Sequence, residues 1–459
     1  MLKTLLPSND TMQGKHIVPQ ERVLFWGNGI CPSCKRVIPG AVFLRDGYSF
    51  SSKYCSYENK AFEALLAKGE CGKASFKAPG HWPTINLKEG NYGISDCDVR
   101  NLSNIAVATF HVTYQCNAKC KICKYVYLPD CRKEMPLDFI KGKLRFFRKK
   151  IVAIFGGEPT TRGDLPGILN AIRHSGNIAL LCTNGIKISE TGYLALLKRS
   201  GLRYLDLSFD GFSEDIYGKL RGETERYQYR LKLKALENLK KEKGIAVSFN
   251  TTLVRGINDD QVPLLINYAL ENNFVNGISF RPLCLQGAEE FAGMTRDNLL
   301  SLDEIRSKVS DALGLSPEYF EAWDKAKLAA AAFLKDKCGW LRGPVFLPGK
   351  VYLLRRGGKF KPLLELAALK ELETALKNKN IRGLLQFKFL GWYGKIALGL
   401  LLGKNLEFGI LRRSGIFKIS VSLLVDAINE VYPSCQPLGD FNYILLRGDT
   451  YNFDLNAIT

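Results

Sequence analysis

Between residues 105 and 290 the hydrophobic positions gather into six short apolar runs: NIAVATFHV, IVAIFG, NIALLCTNG, LRYLDLSFDG, IAVSFNTTLV and NGISFRPL. Runs of this length, bounded by glycine and small polar residues, predict strands. Between them lie stretches such as ETGYLALLKRSG and YRLKLKALENLKKEKG, with apolar residues three and four apart and a closing glycine. That period and that ending predict helices. Strand and helix alternating over about 180 residues argue for an α/β fold of parallel βα units, either a barrel or a doubly wound sheet. Six strands are too few for a complete eight-stranded barrel, so a partial (β/α)6 TIM-type barrel is expected.

The pattern changes on either side. Residues 1–75 read as an irregular, cysteine-containing region, and 76–104, with KAPGHWPT and KEGNYG, as a linker rich in turn residues. Residues 291–459 open on helical stretches, TRDNLLSLDEIRSKVSDALG and EYFEAWDKAKLAAAAFLKDK, which predict a mainly helical extension covering the barrel. Within it the apolar and basic stretch 384–413 suits either a buried helix pair or a helix lying at a membrane interface. Its glycines at 391, 394, 399 and 403 favour burial. No solenoid repeat is present.

Composition narrows the class. Of 459 residues, 46% are hydrophobic and 24% charged, the balance of a folded, soluble chain. No segment offers about 20 consecutive apolar residues to span a membrane. The opening MLKTLLPSND lacks the apolar run and cleavage site of a signal peptide. The cytoplasm, or the inner face of its membrane, is the expected location. A formal charge of +20 keeps a polyanionic partner in view, but no aromatic stacking motif or basic stripe accompanies it, so no specific nucleic acid is expected.

The 13 cysteines carry the chemistry. In a reducing compartment, clustered cysteines more often bind metal than pair as disulfides. Cys116, Cys120 and Cys123 form C-x3-C-x2-C in a polar stretch just after the first βα strand. Thiolates suit iron–sulfur clusters. Three of them would leave one iron of a four-iron cube open to a cofactor, as a catalytic zinc site keeps a position open. Near the N-terminus, Cys31, Cys34 and Cys55 suggest a second site, a zinc or iron knuckle. Cys182 and Cys284 read as core thiols. Cys131, Cys338 and Cys435 would make another cluster only if the fold gathered them. After the second strand, Gly156 and Gly157 precede Glu158, whose carboxylate stands at a strand's carboxyl end, where βα folds place ligands. Paired glycines there allow a close approach to the backbone.

These motifs together resemble the radical S-adenosylmethionine (SAM) superfamily: C-x3-C-x2-C with Ile122 before the third cysteine, then GGEP, CTNG, LSFDG, KLRG, FNTTLVRGIND and SFRPL, in order along the chain. The resemblance implies a [4Fe-4S] cluster on Cys116, Cys120 and Cys123, with the open iron chelated by the methionine end of SAM. It implies SAM contacts from Gly156, Gly157, Glu158, Thr183, Asn184, Ser208, Asp210, Arg221, Asn250 and Arg281. It further implies one-electron cleavage of SAM to a 5′-deoxyadenosyl radical that abstracts hydrogen. The electron would come from a small donor of ferredoxin or flavodoxin type, and no catalytic residues beyond the cluster ligands are needed. The N-terminal CPSCKRVIPGAVFLRDGYSFSSKYC, with RGDLPGIL and YNFDL, resembles archaeal methyltransferase-like and tetraether-lipid-synthase-like members. A lipid or a small cofactor is then the implied substrate, with methylation or carbon–carbon bond formation as the outcome. The chain departs from that group where Glu58 replaces a histidine and where Cys97 alone remains of an auxiliary cluster. Peptide modification and cofactor biosynthesis within the superfamily, and a basic nucleic-acid binder with a structural cluster, are the alternatives.

Overall fold

A computed structural model describes residues 22–30, 37–69, 105–123, 134–145, 151–283, 293–338, 349–378, 416–421 and 444–448. Six parallel strands run in sequence order: β5 (Ile105–Thr113), β6 (Ile151–Gly156), β7 (Ile178–Thr183), β8 (Tyr204–Ser208), β9 (Ala246–Leu253) and β10 (Val275–Pro282). Each falls on one of the six apolar runs. Helices α1 (Leu137–Leu144), α2 (Leu165–His174), α3 (Tyr193–Arg199), α4 (Glu214–Arg221), α5 (Gln228–Lys241) and α6 (Val262–Glu271) connect them. Local chemistry sets several helix starts. Ser213 accepts from Asp215 N ahead of α4, and prolines occupy the first turns of α2 and α6.

Alternation along the strands separates two faces. Val152, Ile154, Ala179, Leu181, Leu205, Leu207, Val247, Phe249, Ile278 and Phe280 join the helices in one large core. Ile151, Ala153, Leu180, Cys182, Tyr204 and Ala246 face the other way in a smaller cluster on the inner side. Higher on that inner face the residues turn polar. Strand pairing sets Cys182, Asp206 and Ser248 in one row, and Ser208, Asn250 and Ser279 in the next.

The C-terminal region adds helices α7 (Leu302–Leu313), α8 (Glu318–Cys338) and α9 (Leu366–Lys377), but also strands. A capping box of Ser301 and Glu304 opens α7, and Gly314 at φ 62° closes it. Strand β13 (Ile416–Val421) pairs parallel with β10, and β11 (Lys350–Arg356) and β12 (Lys359–Pro362) follow it as an antiparallel edge. Strand β14 (Ile444–Gly448) pairs antiparallel with β5. The barrel sheet thus reaches ten strands and stays open between β12 and β14 among the described residues. No described helix is long and apolar enough to cross a membrane. The stretch 384–413 lies outside the described residues.

Residues 22–68 overturn the irregular reading of the N-terminus. They form a four-stranded antiparallel sheet, β1 (Arg22–Ile30), β2 (Val37–Arg45), β3 (Tyr48–Cys55) and β4 (Lys60–Lys68). The signal for it was the Asp46-Gly47 pair. Both residues take positive φ, 50° and 78°, and turn β2 directly into β3. Pro39 and Gly40 lie within β2 and hid its strand pattern. Phe43, Phe50 and Leu65 pack against Ile216, Tyr217 and Leu220 of α4 and against Val254 and Leu299, with Ile122 of the cysteine loop at the margin. This sheet is therefore seated beside the cysteine loop.

Candidate active site

The cysteine loop leaves β5 at Thr113 and is clamped from two sides. On one side, Gly157 N donates to Thr113 O at 2.8 Å and Glu158 N to Gln115 O at 2.8 Å. A Cβ on Gly156 would stand 2.2 Å from Thr113 O, and one on Gly157 2.4 Å from Gln115 O and 2.5 Å from Tyr114 O. The paired glycines thus serve the approach of the cysteine loop's own backbone, where sequence reasoning had assigned them to a ligand. On the other side, Lys121 N donates to Arg221 O at 3.0 Å and Lys119 N to Glu225 Oε1 at 3.1 Å. Buried Arg162 adds a staple, with Nη1 reaching Val112 O and Met135 O at 2.9 Å and its far edge bidentate on Asp164.

Glu158 is buried and joins two strand ends. Its Oε1 accepts from Thr160 N at 3.0 Å, Thr160 Oγ1 at 2.6 Å and Thr183 Oγ1 at 2.7 Å, and its Oε2 from Asn184 N at 2.6 Å. The Asn184 side chain then reaches Asn117 Oδ1 at 2.8 Å and approaches Cys116 Sγ at 4.0 Å. Cys116, Glu158, Thr183 and Asn184 therefore share one network. A second network lies one strand along. Arg221 donates to Asp210 Oδ2 from Nε at 2.9 Å and from Nη2 at 2.5 Å, and to Ser208 Oγ at 2.8 Å. The Asp210 carboxylate and the Cys120 sulfur hold the Arg221 guanidinium charged against the cost of its burial. Asn250 sits next to Ser208 in the pairing of β8 and β9, with Nδ2 3.1 Å from Asp206 Oδ2. Arg281 is buried near the end of β10, opposite Thr252.

Three residues of this site carried no sequence signal. Lys232, written into the amphipathic stretch of α5, is fully buried. Its Nζ donates to Asn184 O at 2.6 Å and Ser208 O at 2.5 Å, tying the ends of β7 and β8 together. Burial, with Arg221 nearby, lowers its pKa from 10.5 to about 8. Glu225 and Gln228 support the cysteine loop from the α4–α5 connection. A polar residue at a helix position of apolar period is their only trace in the sequence.

The donor set fits an iron–sulfur cluster. Cys116, Cys120 and Cys123 lie on one short loop and form no disulfide, graded from exposed Cys116 through half-buried Cys123 to buried Cys120. Although the residue is exposed, packing of protein around its sulfur, with the Glu158 carboxylate beside it, pushes the Cys116 thiol up to about 12, so a bound cation is what would make it a thiolate. Among the described residues no three His, Cys, Asp or Glu side chains converge as ligands of a single metal ion. A cluster does not require that, since each cysteine takes its own iron. Cys55 is buried at the end of β3, while Cys31 and Cys34 lie outside the described residues, as do Cys97, Cys131, Cys284 and Cys435. Cys182 is a core thiol on the inner face.

Residues 110–269, which span both clamps and both networks, match the family model of the Radical SAM superfamily. Over these residues the chain is similar to radical SAM proteins. Among curated proteins, it is 33% identical over 276 residues to the 7,8-dihydro-6-hydroxymethylpterin dimethyltransferase of Methanocaldococcus jannaschii, covering 56% of this chain and 53% of that one. It is 26% identical to a GTP 3′,8-cyclase of Alkaliphilus metalliredigens, covering 50% and 71%, and 32% identical to the Fe-coproporphyrin III synthase of Methanosarcina barkeri, covering 44% and 49%. The chain spans about half the length of the first of these relatives. Among solved structures, SuiB of Streptococcus suis bound to S-adenosylmethionine aligns with 48% of this chain and 50% of its own, at a TM-score of 0.37 and 17% identity. The matched residues run from within β5 to α6 and stop short of β10 and of the strands that extend the sheet.

Proposed function

We propose that this protein is a radical SAM enzyme that activates a C–H bond of a small, polar, cofactor-class molecule. Cys116, Cys120 and Cys123 would hold a [4Fe-4S] cluster. Thr183, Asn184 and Glu158 on one side, and Ser208, Asp210 and Arg221 on the other, would border SAM, with Asn250 and Arg281 on the next strands. Bound together, cluster and SAM supply a one-electron cleavage that generates the hydrogen-abstracting species. The chain's own residues hold the loop, orient the cofactor and exclude water. The electron would come from a small donor of ferredoxin or flavodoxin type.

The observation that carries the reading is the double clamp on the cysteine loop, since glycines that admit no Cβ and an internally bonded Glu158 are costly unless the loop must be placed accurately. The substrate class rests on the inner barrel face. His111, Asp206 and Arg281 are buried there, with Asn250 half-buried beside them. Such a wall suits a hydrogen-bonding molecule and would penalise a hydrocarbon chain. Similarity to proteins named for a pterin, GTP and a porphyrin supports the same class over a lipid, and the first of them supports methyl transfer as the outcome.

Anaerobically reconstituted protein should bind about four irons at this site and release 5′-deoxyadenosine from SAM. Replacing Cys116, Cys120 and Cys123 by alanine should abolish both, and a triple variant that still releases 5′-deoxyadenosine would overturn the assignment. Deuterium should pass into 5′-deoxyadenosine from labelled pterins or purines. Transfer only from labelled lipids would overturn the substrate class.

A further inference from the structure

Two side chains bear on one sulfur, one as a hydrogen-bond donor and one as a neighbouring charge. Gln228, at the start of α5 and fully buried, places Nε2 3.6 Å from Cys120 Sγ. The same nitrogen donates to Glu225 Oε2 at 2.7 Å, and Glu225 Oε1 holds the backbone of Lys119 beside the cysteine. The amide is therefore fixed by the carboxylate that fixes the loop. Its own Oε1 is buried without a hydrogen-bond partner among the described residues, so the orientation is set by what the nitrogen reaches. The Arg221 guanidinium, anchored on Asp210 and Ser208, also interacts electrostatically with the Cys120 sulfur. The three cysteines are thus unequal. Cys116 is exposed and meets the Ala118 backbone and, at 4.0 Å, the Asn184 amide, whereas Cys120 is buried, receives the Gln228 amide and lies beside the Arg221 guanidinium.

A donor or cation on a ligating sulfur stabilises the added negative charge of the reduced cluster, and more so where water is excluded. We propose that Gln228, acting with Arg221 through Cys120, raises the reduction potential of the cluster and marks the cysteine end at which the added electron is favoured. Gln228 touches a ligand and not a reacting atom, so its role is positioning. The inference rests on the cluster reading above and needs no particular substrate.

The test uses full-length, anaerobically reconstituted protein without SAM, titrated potentiometrically and followed by electron paramagnetic resonance. In Gln228→Leu the reduced-to-oxidised ratio at a fixed ambient potential should fall about tenfold, equivalent to about 59 mV for a one-electron couple, at unchanged iron content. Gln228→Met, which fills the same space, serves if the leucine variant loses iron. In the wild type carrying 15N in its glutamine side chains, the reduced cluster should show a nitrogen coupling that these variants lack. A ratio within twofold of wild type at full iron content, or a wild-type cluster without that coupling, would overturn the proposal. A wild type that takes up no iron would instead overturn the cluster reading on which it rests.

Discussion

Gly157→Ala isolates the fit between the Gly-Gly turn and the cysteine loop. The added Cβ would meet Gln115 O at 2.4 Å and Tyr114 O at 2.5 Å, both backbone atoms that no rotamer can move away. Bringing the nearer contact to the 3.0 Å that real Cβ atoms keep requires the loop to retreat by at least about 0.6 Å. The hydrogen bonds from Gly157 N to Thr113 O and from Glu158 N to Gln115 O, both 2.8 Å, resist that movement. Overpacking of this kind costs about 1–3 kcal/mol, and losing both bonds adds about 1 kcal/mol each. A total of about 3–5 kcal/mol is expected in chemical denaturation. Because the displaced segment bears Cys116, iron retention and 5′-deoxyadenosine formation should fall much further than stability alone would dictate. Gly163→Ala, whose Cβ meets nothing within 4 Å, is the control and should change neither. If Gly157→Ala keeps wild-type iron content and unfolds within about 0.5 kcal/mol of wild type, a surface-like effect, the clamp has no energetic meaning.

Glu158→Gln should cost about 1–3 kcal/mol, since one amide N–H must face a donor where the carboxylate accepts from four. Urea denaturation checks this, and an unchanged midpoint would contradict it. Lys232→Met reports on the buried ammonium. Its lowered pKa means that folding releases a proton between about pH 8 and 10.5. The stability of wild type relative to the methionine variant should therefore be flat below pH 8 and rise across that interval. A fall across it would refute the burial argument.

The parallel core was legible because its six strands are continuous apolar runs, a pattern that tertiary context seldom overrides. The cysteine motif and Glu158 were legible because their spacing is local. Strands β11, β13 and β14 were not, since each earns its place by pairing with a distant strand, and a run such as IFKISV carries a lysine on its inner face. Lys232, Glu225 and Gln228 escaped for a different reason. They are polar residues in or just ahead of an amphipathic helix, and only the fold shows that the connection after Arg221 turns them inward. The glycine pair was found for a correct chemical reason, close approach, but the approaching group was the protein's own chain.

Pairing between β14 and β5 joins Ile444 to Phe110, more than three hundred residues apart along the chain. The strand that launches the cysteine loop therefore has one edge open until the last described segment arrives. Closing so long a loop is slow, and an unpaired edge is a template for association with other chains. During synthesis the cysteine loop can be clamped by Gly157 and Arg221 well before its own strand is shielded. Chaperone dependence and cluster insertion would then compete in the same interval, and truncation ahead of β14 would be felt as aggregation before it was felt as lost chemistry.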